Sequence, residues 1–237
     1  MGAISMSRPT GSIPRASRAP DRKRAQKAVR ALLEALGLDP DDAALADTPE
    51  RTASAFLDVL AAGYATTPEK VLGRGFPVSS SDPVVATDLP VMFVCPHHLL
   101  PARGVVHLAF TPKARVPGLA RIARMVDVLA HRLVLQEDLG RWIVEALVAQ
   151  LDVKAAIAII EAKHTCVAVE DFARRDTVFR TRAAHGSKKA VASLKNEIDA
   201  SLRSAWSAQG DLHSSSASGR PPRKRPARTI RKSTTSR

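Results

Sequence analysis

Nearly all of the net charge of this 237-residue chain lies at its two ends, which confines any fold to the middle. Residues 1–24 carry six Lys or Arg against Asp21, a net +5, and residues 210–237 carry eight against Asp211, a net +7. The whole chain is +13, so the stretch between them is left with about +1. Both ends are rich in Ser, Pro, Gly and Arg and almost free of aromatic residues. Such segments bury too little apolar surface to offset the entropy of ordering. The expected organisation is a disordered basic tail over 1–24, one domain over 25–207, and a disordered basic tail over 208–237. A nearly neutral domain is not a basic nucleic-acid-binding surface. The tails are expected to give at most weak, salt-sensitive polyanion binding.

No apolar run approaches the roughly 20 residues that span a bilayer, so no membrane partner is expected. The N-terminus lacks the apolar stretch of a secretory signal, and Pro9, Pro14 and Pro20 oppose the amphipathic helix of a transit peptide. Two cysteines cannot staple a scaffold of this size. The reading is cytoplasmic, with thiols kept reduced and able to bind metal.

Periodicity supplies the elements. Val29, Leu32, Leu33 and Leu36 recur at helical spacing within 21–38, and Gly37 marks the end. Thr48 as N-cap and Pro49 at the first helical position open a second helix that ends by Gly63. Val84 to Val94 reads as a strand interrupted at Pro90, and Val105 to Phe110 as another, with a turn over 112–117. Ile122, Met125, Val126 and Leu129 mark a third helix, and Leu139, Ile143, Val144 and Leu147 a fourth. Residues 155–161 and 164–169 read as one strand or two. Helix pairs beside antiparallel strands predict an α+β fold.

Each cysteine has a histidine close by. Cys95-Pro96-His97-His98 puts a thiol and an imidazole three residues apart, and His164-Thr165-Cys166 carries the second thiol. If 164–166 is extended, His164 and Cys166 share a face. Cys95, His98 and Cys166 then form a zinc site of two thiolates and one imidazole with an open fourth position. That is the arrangement of a catalytic zinc, which acidifies a bound water. His97, beside a ligand but not itself one, is free to move protons. A closed four-ligand site that adds His164, or two buried free cysteines with unrelated histidines, fits the same spacing.

These residues resemble a known family. Cys95-Pro96-His97-His98-Leu99-Leu100-Pro101 is similar to the signature of GTP cyclohydrolase I. The resemblance continues in order through Asp47-Thr48-Pro49-Glu50-Arg51, Gly104 to His107, Gly118-Leu119-Ala120-Arg121 with Arg124, Gln136-Glu137 and His164-Thr165-Cys166, and it covers roughly 25–203. It implies a tunnelling fold: an antiparallel sheet with two long helices on one face, preceded by N-terminal helices and assembled into a toroidal homodecamer with active sites at subunit interfaces. It implies Zn2+ on Cys95, His98 and Cys166, and water attack at C8 of GTP with loss of formate and closure to 7,8-dihydroneopterin triphosphate, for folate or pterin biosynthesis. His97 and His164 are the implied catalytic proton-transfer groups. Gln136 and Glu137 are implied at the guanine edge, and Arg121 and Arg124 at the phosphates, where guanidinium forks suit the oxyanions.

Four departures qualify the resemblance. Pro96 stands where the family has glutamate, Ala120 where it has serine, and Arg121 where it has lysine. Glu170-Asp171 stands where the family has arginine and glycine, and that arginine contacts the triphosphate. Reversing a charge beside a polyphosphate changes the interaction by several kcal/mol, at about 4 kcal/mol per unit charge at 4 Å and an effective dielectric of 20. The expectation is therefore that ring opening survives while triphosphate recognition is altered. Two alternatives follow: a zinc hydrolase of the same fold acting on a purine or pterin with fewer phosphates, and a non-catalytic assembly or regulatory member.

Overall fold

A computed structural model of the chain describes residues 13, 16 and 18–215, with side chains to 204. The expected tails fall mostly outside the described residues. Within them, Arg22–Arg24 already belong to the first helix, and the last helix runs to Ser215, past the expected domain end at 207.

Helix α1 (Arg22–Ala35) starts at Asp21, whose side chain accepts from Arg24 N at 2.9 Å. It stops where Gly37 takes φ +78°. Gly37 N then donates to Glu34 O and Leu38 N to Leu33 O, closing two of the carbonyls that a helix end leaves open. Helix α2 (Thr48–Ser54) begins at Thr48 itself, continues as a π-helical turn over Ala55–Leu60 and tightens to 3-10 over Ala62–Ala65. Arg22 joins α1 to this segment through Ser54 Oγ at 2.6 Å and Asp58 at 2.6 and 2.8 Å. A short helix α3 (Pro68–Leu72) and a two-residue strand β1 (Phe76–Pro77) lead into the sheet.

Four antiparallel strands form that sheet: β2 (Val84–Val94), β3 (Pro101–Thr111), β5 (Ala155–His164) and β6 (Phe179–His185), in the order β2-β3-β5-β6. The small strand β4 (Arg115–Val116) pairs with β1 inside the expected 112–117 turn. Pro90 does not interrupt β2. It pairs opposite Val105, and β2 is an edge strand, where a missing N–H breaks no ladder bond. The irregularity lies earlier, between Ala86 and Leu89, where Asp88 takes φ +56°. Gly104 is needed for close strand approach, since a Cβ there would lie 1.9 Å from Glu161 O on β5.

Helices α4 (Leu119–Ala130) and α5 (Gln136–Leu151) pack on one face of the sheet, as the fold reading required. Ile122, Met125, Val126 and Leu129 meet Leu139, Ile143 and Leu147 over Phe93, Val106, Leu108, Phe110, Ala156, Ala158 and Ile160. The sheet residues of this set alternate along their strands, which is why one face is apolar. Among the longer elements, two were not read from the sequence: β6, and helix α7 (Lys188–Ser215) with its buried Leu194 and Ile198. By internal contacts the chain divides into Met1–Ser201 and Leu202–Arg237, and the described part of the second unit is the end of α7. Among the described residues no helix is long and apolar enough to cross a membrane.

Residues 164–169 do not form a strand. β5 ends at His164, and Thr165 starts a short helix α6 (Thr165–Glu170), followed by a 3-10 turn at Phe172–Arg174. The sequence 165–170 alternates little in polarity; pairing with β6 ends at Ala162, and the chain leaves the sheet two residues later, after His164 pairs with Ala102 on β3.

Candidate metal centre and active site

The centre is built at one end of the sheet. The β2–β3 connection is a tight turn in which Cys95 N donates to Leu100 O and Leu99 N to Cys95 O, both at 2.9 Å. Leu99 takes φ +55° to close it. This curl folds His98 back so that Cys95 Sγ and His98 Nδ1 lie 3.7 Å apart. Cys166 enters from the first turn of α6, not along an extended strand, so the shared-face argument for His164 and Cys166 fails. One donor atom each from Cys95, His98 and Cys166 lies within 4.8 Å of the others. Tetrahedral zinc with bonds of about 2.0–2.3 Å sets its donors about 3.5–3.8 Å apart, so this soft set of two sulfurs and one nitrogen fits the ion after a small contraction.

The two thiols are not equivalent. Burial raises Cys95, but the contact with His98 and the backbone N–H groups of His97 and His98 outweigh it, so its pKa falls below the usual thiol value. Burial raises Cys166, and the neighbouring Cys95 sulfur adds to that. Cys95 therefore ionises first and is the first sulfur ready to bind a cation.

His164 does not join this cluster. Its ring stands edge-on between Phe93 and Phe179, at centroid distances of 5.6 and 5.5 Å. Its Nε2 lies 2.8 Å from Gln136 Oε1. The Gln136 amide nitrogen donates to Ile160 O at 3.1 Å and Phe179 O at 3.0 Å. Those two bonds fix the amide orientation, so Oε1 must accept and His164 must carry its proton on Nε2. Nδ1 is left with a free lone pair. Burial lowers the His164 pKa, partly opposed by the charge of Glu137, so the ring is neutral near pH 7.

The remaining expected residues divide sharply. Gln136 is 3% exposed and its amide is committed to β5, β6 and His164. Glu137, the next residue in the first turn of α5, is exposed and has open carboxylate oxygens. His97 is also exposed, with its ring 6.3 Å from that of His98. Arg121 and Arg124 are exposed at the start of α4. Arg121 donates to Val71 O and Leu72 O at 3.3 and 3.4 Å, capping α3. Gly73 makes room for it, since a Cβ there would sit 2.6 Å from Arg121 Nη1. Arg124 has no hydrogen-bond or ion-pair partner among the described residues. The metal end of the fold meets the other end of this helix: Val94 pairs with Leu133 just after α4. The helix rises about 14 Å from Arg121 to Ala130, so Arg121 and Arg124 lie toward the end of α4 away from this contact.

Sequence reasoning missed three contributors. Phe93 and Phe179 clamp His164. Arg132, 2% exposed, donates to Val128 O, Gly63 O and Thr66 O and stacks 5.1 Å over Tyr64. The alternation of buried Val91 and Phe93 with exposed Met92 is a signal that could have marked Phe93, but no local pattern marks the other two.

Comparison with known proteins gives a consistent result. The family model described as GTP cyclohydrolase I matches residues 25–203. The GTP cyclohydrolase 1 of Mycobacterium leprae (strain Br4923) is 38% identical over 179 residues, covering 75% of this chain and 87% of that protein. That of Mycolicibacterium gilvum (strain PYR-GCK) is 39% identical over 186 residues, covering 77% and 92%. That of Corynebacterium glutamicum (strain R) is 37% identical over 185 residues, covering 77% and 94%.

Proposed function

The chain belongs to the GTP cyclohydrolase I family, and from that premise we propose that it is a cytoplasmic, zinc-dependent enzyme that opens the imidazole ring of GTP. The products are formate and 7,8-dihydroneopterin triphosphate, with a net consumption of one water. The observation that carries this reading is the convergence of Cys95, His98 and Cys166 beside a neutral, tautomer-fixed His164.

Cys95, His98 and Cys166 would hold zinc, and the chemistry the ion would supply is acidification of a water for attack at C8. The chain's own groups do the rest. His97, exposed beside that position, gives a proton to purine N7 as the C8–N bond breaks. His164 uses the Nδ1 lone pair to accept a proton during the ribose rearrangement, and Gln136 holds its ring in place. Glu137 accepts from guanine N1–H and the 2-amino group. Arg124 and Arg121 neutralise phosphate oxygens.

The position of the arginines at the end of α4 away from the Val94–Leu133 contact supports a homo-oligomer in which one copy's α4 completes another's site. The open edges of β2 and β6 offer the surface for it, and the family-like homodecamer is the assembly we propose. Light scattering on a sizing column tests that state.

The decisive experiment is incubation of zinc-loaded protein with GTP, following formate and the pterin by mass spectrometry. Both products are expected, and Cys166→Ala abolishes both. A zinc-loaded protein that yields neither product overturns the reading. The lack at position 170 of the arginine that the family places on the triphosphate favours a second reading with fewer phosphates on the substrate. Faster turnover of GMP or guanosine than of GTP would establish that reading instead.

A further inference from the structure

We propose that Glu170 is a positioning residue for the metal ligand His98, accepting from its Nε2–H while Nδ1 faces the metal; this rests on the reading of Cys95, His98 and Cys166 as ligands. An imidazole ligates through one nitrogen and donates through the other, and the acceptor at the second nitrogen sets ring orientation and donor strength. In this structure the two nitrogens of His98 are already divided in that way. Nδ1 lies 3.7 Å from Cys95 Sγ, within the donor cluster, and Nε2 lies 3.9 Å from Glu170 Oε1. No other hydrogen-bond or ion-pair partner of His98 Nε2 occurs among the described residues.

The placement follows from the short helix α6. Cys166 and Glu170 are four residues apart on it, so they occupy neighbouring positions on one side of the helix. The third ligand and the carboxylate that steadies the second ligand thus arrive on one element. The turn that carries His98 has no carboxylate of its own, since Cys95 to Leu100 contains no acidic residue, so a charged acceptor has to come from another element. The Glu170 side chain is 70% exposed, so a rotation about its own bonds closes the remaining gap without moving the backbone. The residue that departs most from the family pattern therefore acts at the metal and not at the phosphates.

The test measures zinc affinity, not turnover. Full-length wild type and Glu170→Gln are compared by competition with a chromophoric chelator, and the imidazole tautomer of His98 is read in the zinc-loaded protein by long-range proton–nitrogen NMR. The expected result is a 10- to 100-fold weaker zinc affinity in Glu170→Gln, with the metal-free proteins melting at the same temperature. His98 should carry its proton on Nε2, with that resonance moving upfield in the variant. Equal zinc affinity overturns the role of Glu170 and leaves the metal centre standing. Ligation through Nε2 overturns it as well. A wild-type protein that binds no zinc overturns both this proposal and the metal reading beneath it.

Discussion

The two ends of helix α4 meet different surroundings. Just beyond its C-terminal end, Arg132 is buried with its donors on backbone carbonyls, and Val94 is latched to the connection by N–H bonds in both directions, at 3.2 and 3.1 Å. That latch holds the root of the turn that presents Cys95 and His98. At the N-terminal end, Arg121 and Arg124 stand in solvent, one capping α3 and the other without a partner among the described residues. The candidate metal donors are brought together within one chain, whereas Arg124 has no partner among the described residues. Bond-making chemistry needs donors fixed to fractions of an ångström. Charge neutralisation acts over several ångströms and tolerates a group brought by another copy.

This contrast is most exposed to failure at the metal. Cys166→Ala is expected to remove zinc at stoichiometric loading and to lower formate release at least about 1000-fold, as loss of an essential activated water requires. Metal analysis after dialysis, paired with a formate assay, checks it. Retained zinc with retained turnover would place the chemistry elsewhere.

Next in size is Gln136→Ala. It strips acceptors and donors from His164, Ile160 and Phe179 together. A fall in kcat of about 10- to 100-fold is expected, with a loss of about 1–3 kcal/mol of stability for the buried groups left unpaired. The distinguishing signal is NMR of His164, which should populate both tautomers in the variant. A raised KM with unchanged kcat would return Gln136 to a substrate-binding role.

At the other end, Arg124→Ala should raise the KM for GTP about tenfold, corresponding to roughly 1.4 kcal/mol, and leave the KM for guanosine unchanged. Its melting temperature should stay at the wild-type value, because the side chain has no partner to lose among the described residues. Equal effects on GTP and guanosine would show that Arg124 does not meet phosphate.

The smallest effect lies outside both regions. Lys163 donates to Asp176 at 2.8 Å and holds that carboxyl below its usual range. A depressed carboxylate stabilises the fold above its unfolded pKa, and that contribution is lost as pH falls through the lower folded value. Carbon NMR should show Asp176 titrating below an ordinary aspartate, and Lys163→Met should move it back up. The site chemistry should not respond.

How much of this was legible in the sequence varies by residue. Cys95, His98 and Cys166 were legible because metal donors are few and chemically distinctive, and both cysteines have a histidine nearby. The two sheet-packing helices were legible because a 3.6-residue apolar period is a local signal. Gln136 was placed at the substrate edge because the family resemblance implied it, together with Glu137. Successive helical residues point about 100° apart, and only the packed fold shows that Gln136 turns inward while Glu137 turns out. β6 and α7 escaped because exposed arginines and scattered apolar residues leave a weak period there.

Residue type and order along the chain were enough to set the family, the donor set and the segregation of charge to the ends. Packing in three dimensions was needed to establish that a short helix, not a strand, delivers Cys166, that His164 keeps its proton on Nε2, and that Glu170 faces His98. It also set the expected phosphate-binding arginines at the end of α4 away from the Val94–Leu133 contact. Those outcomes depend on where side chains point after distant segments pack, and direction in space is not encoded in any window of sequence short enough to read by pattern.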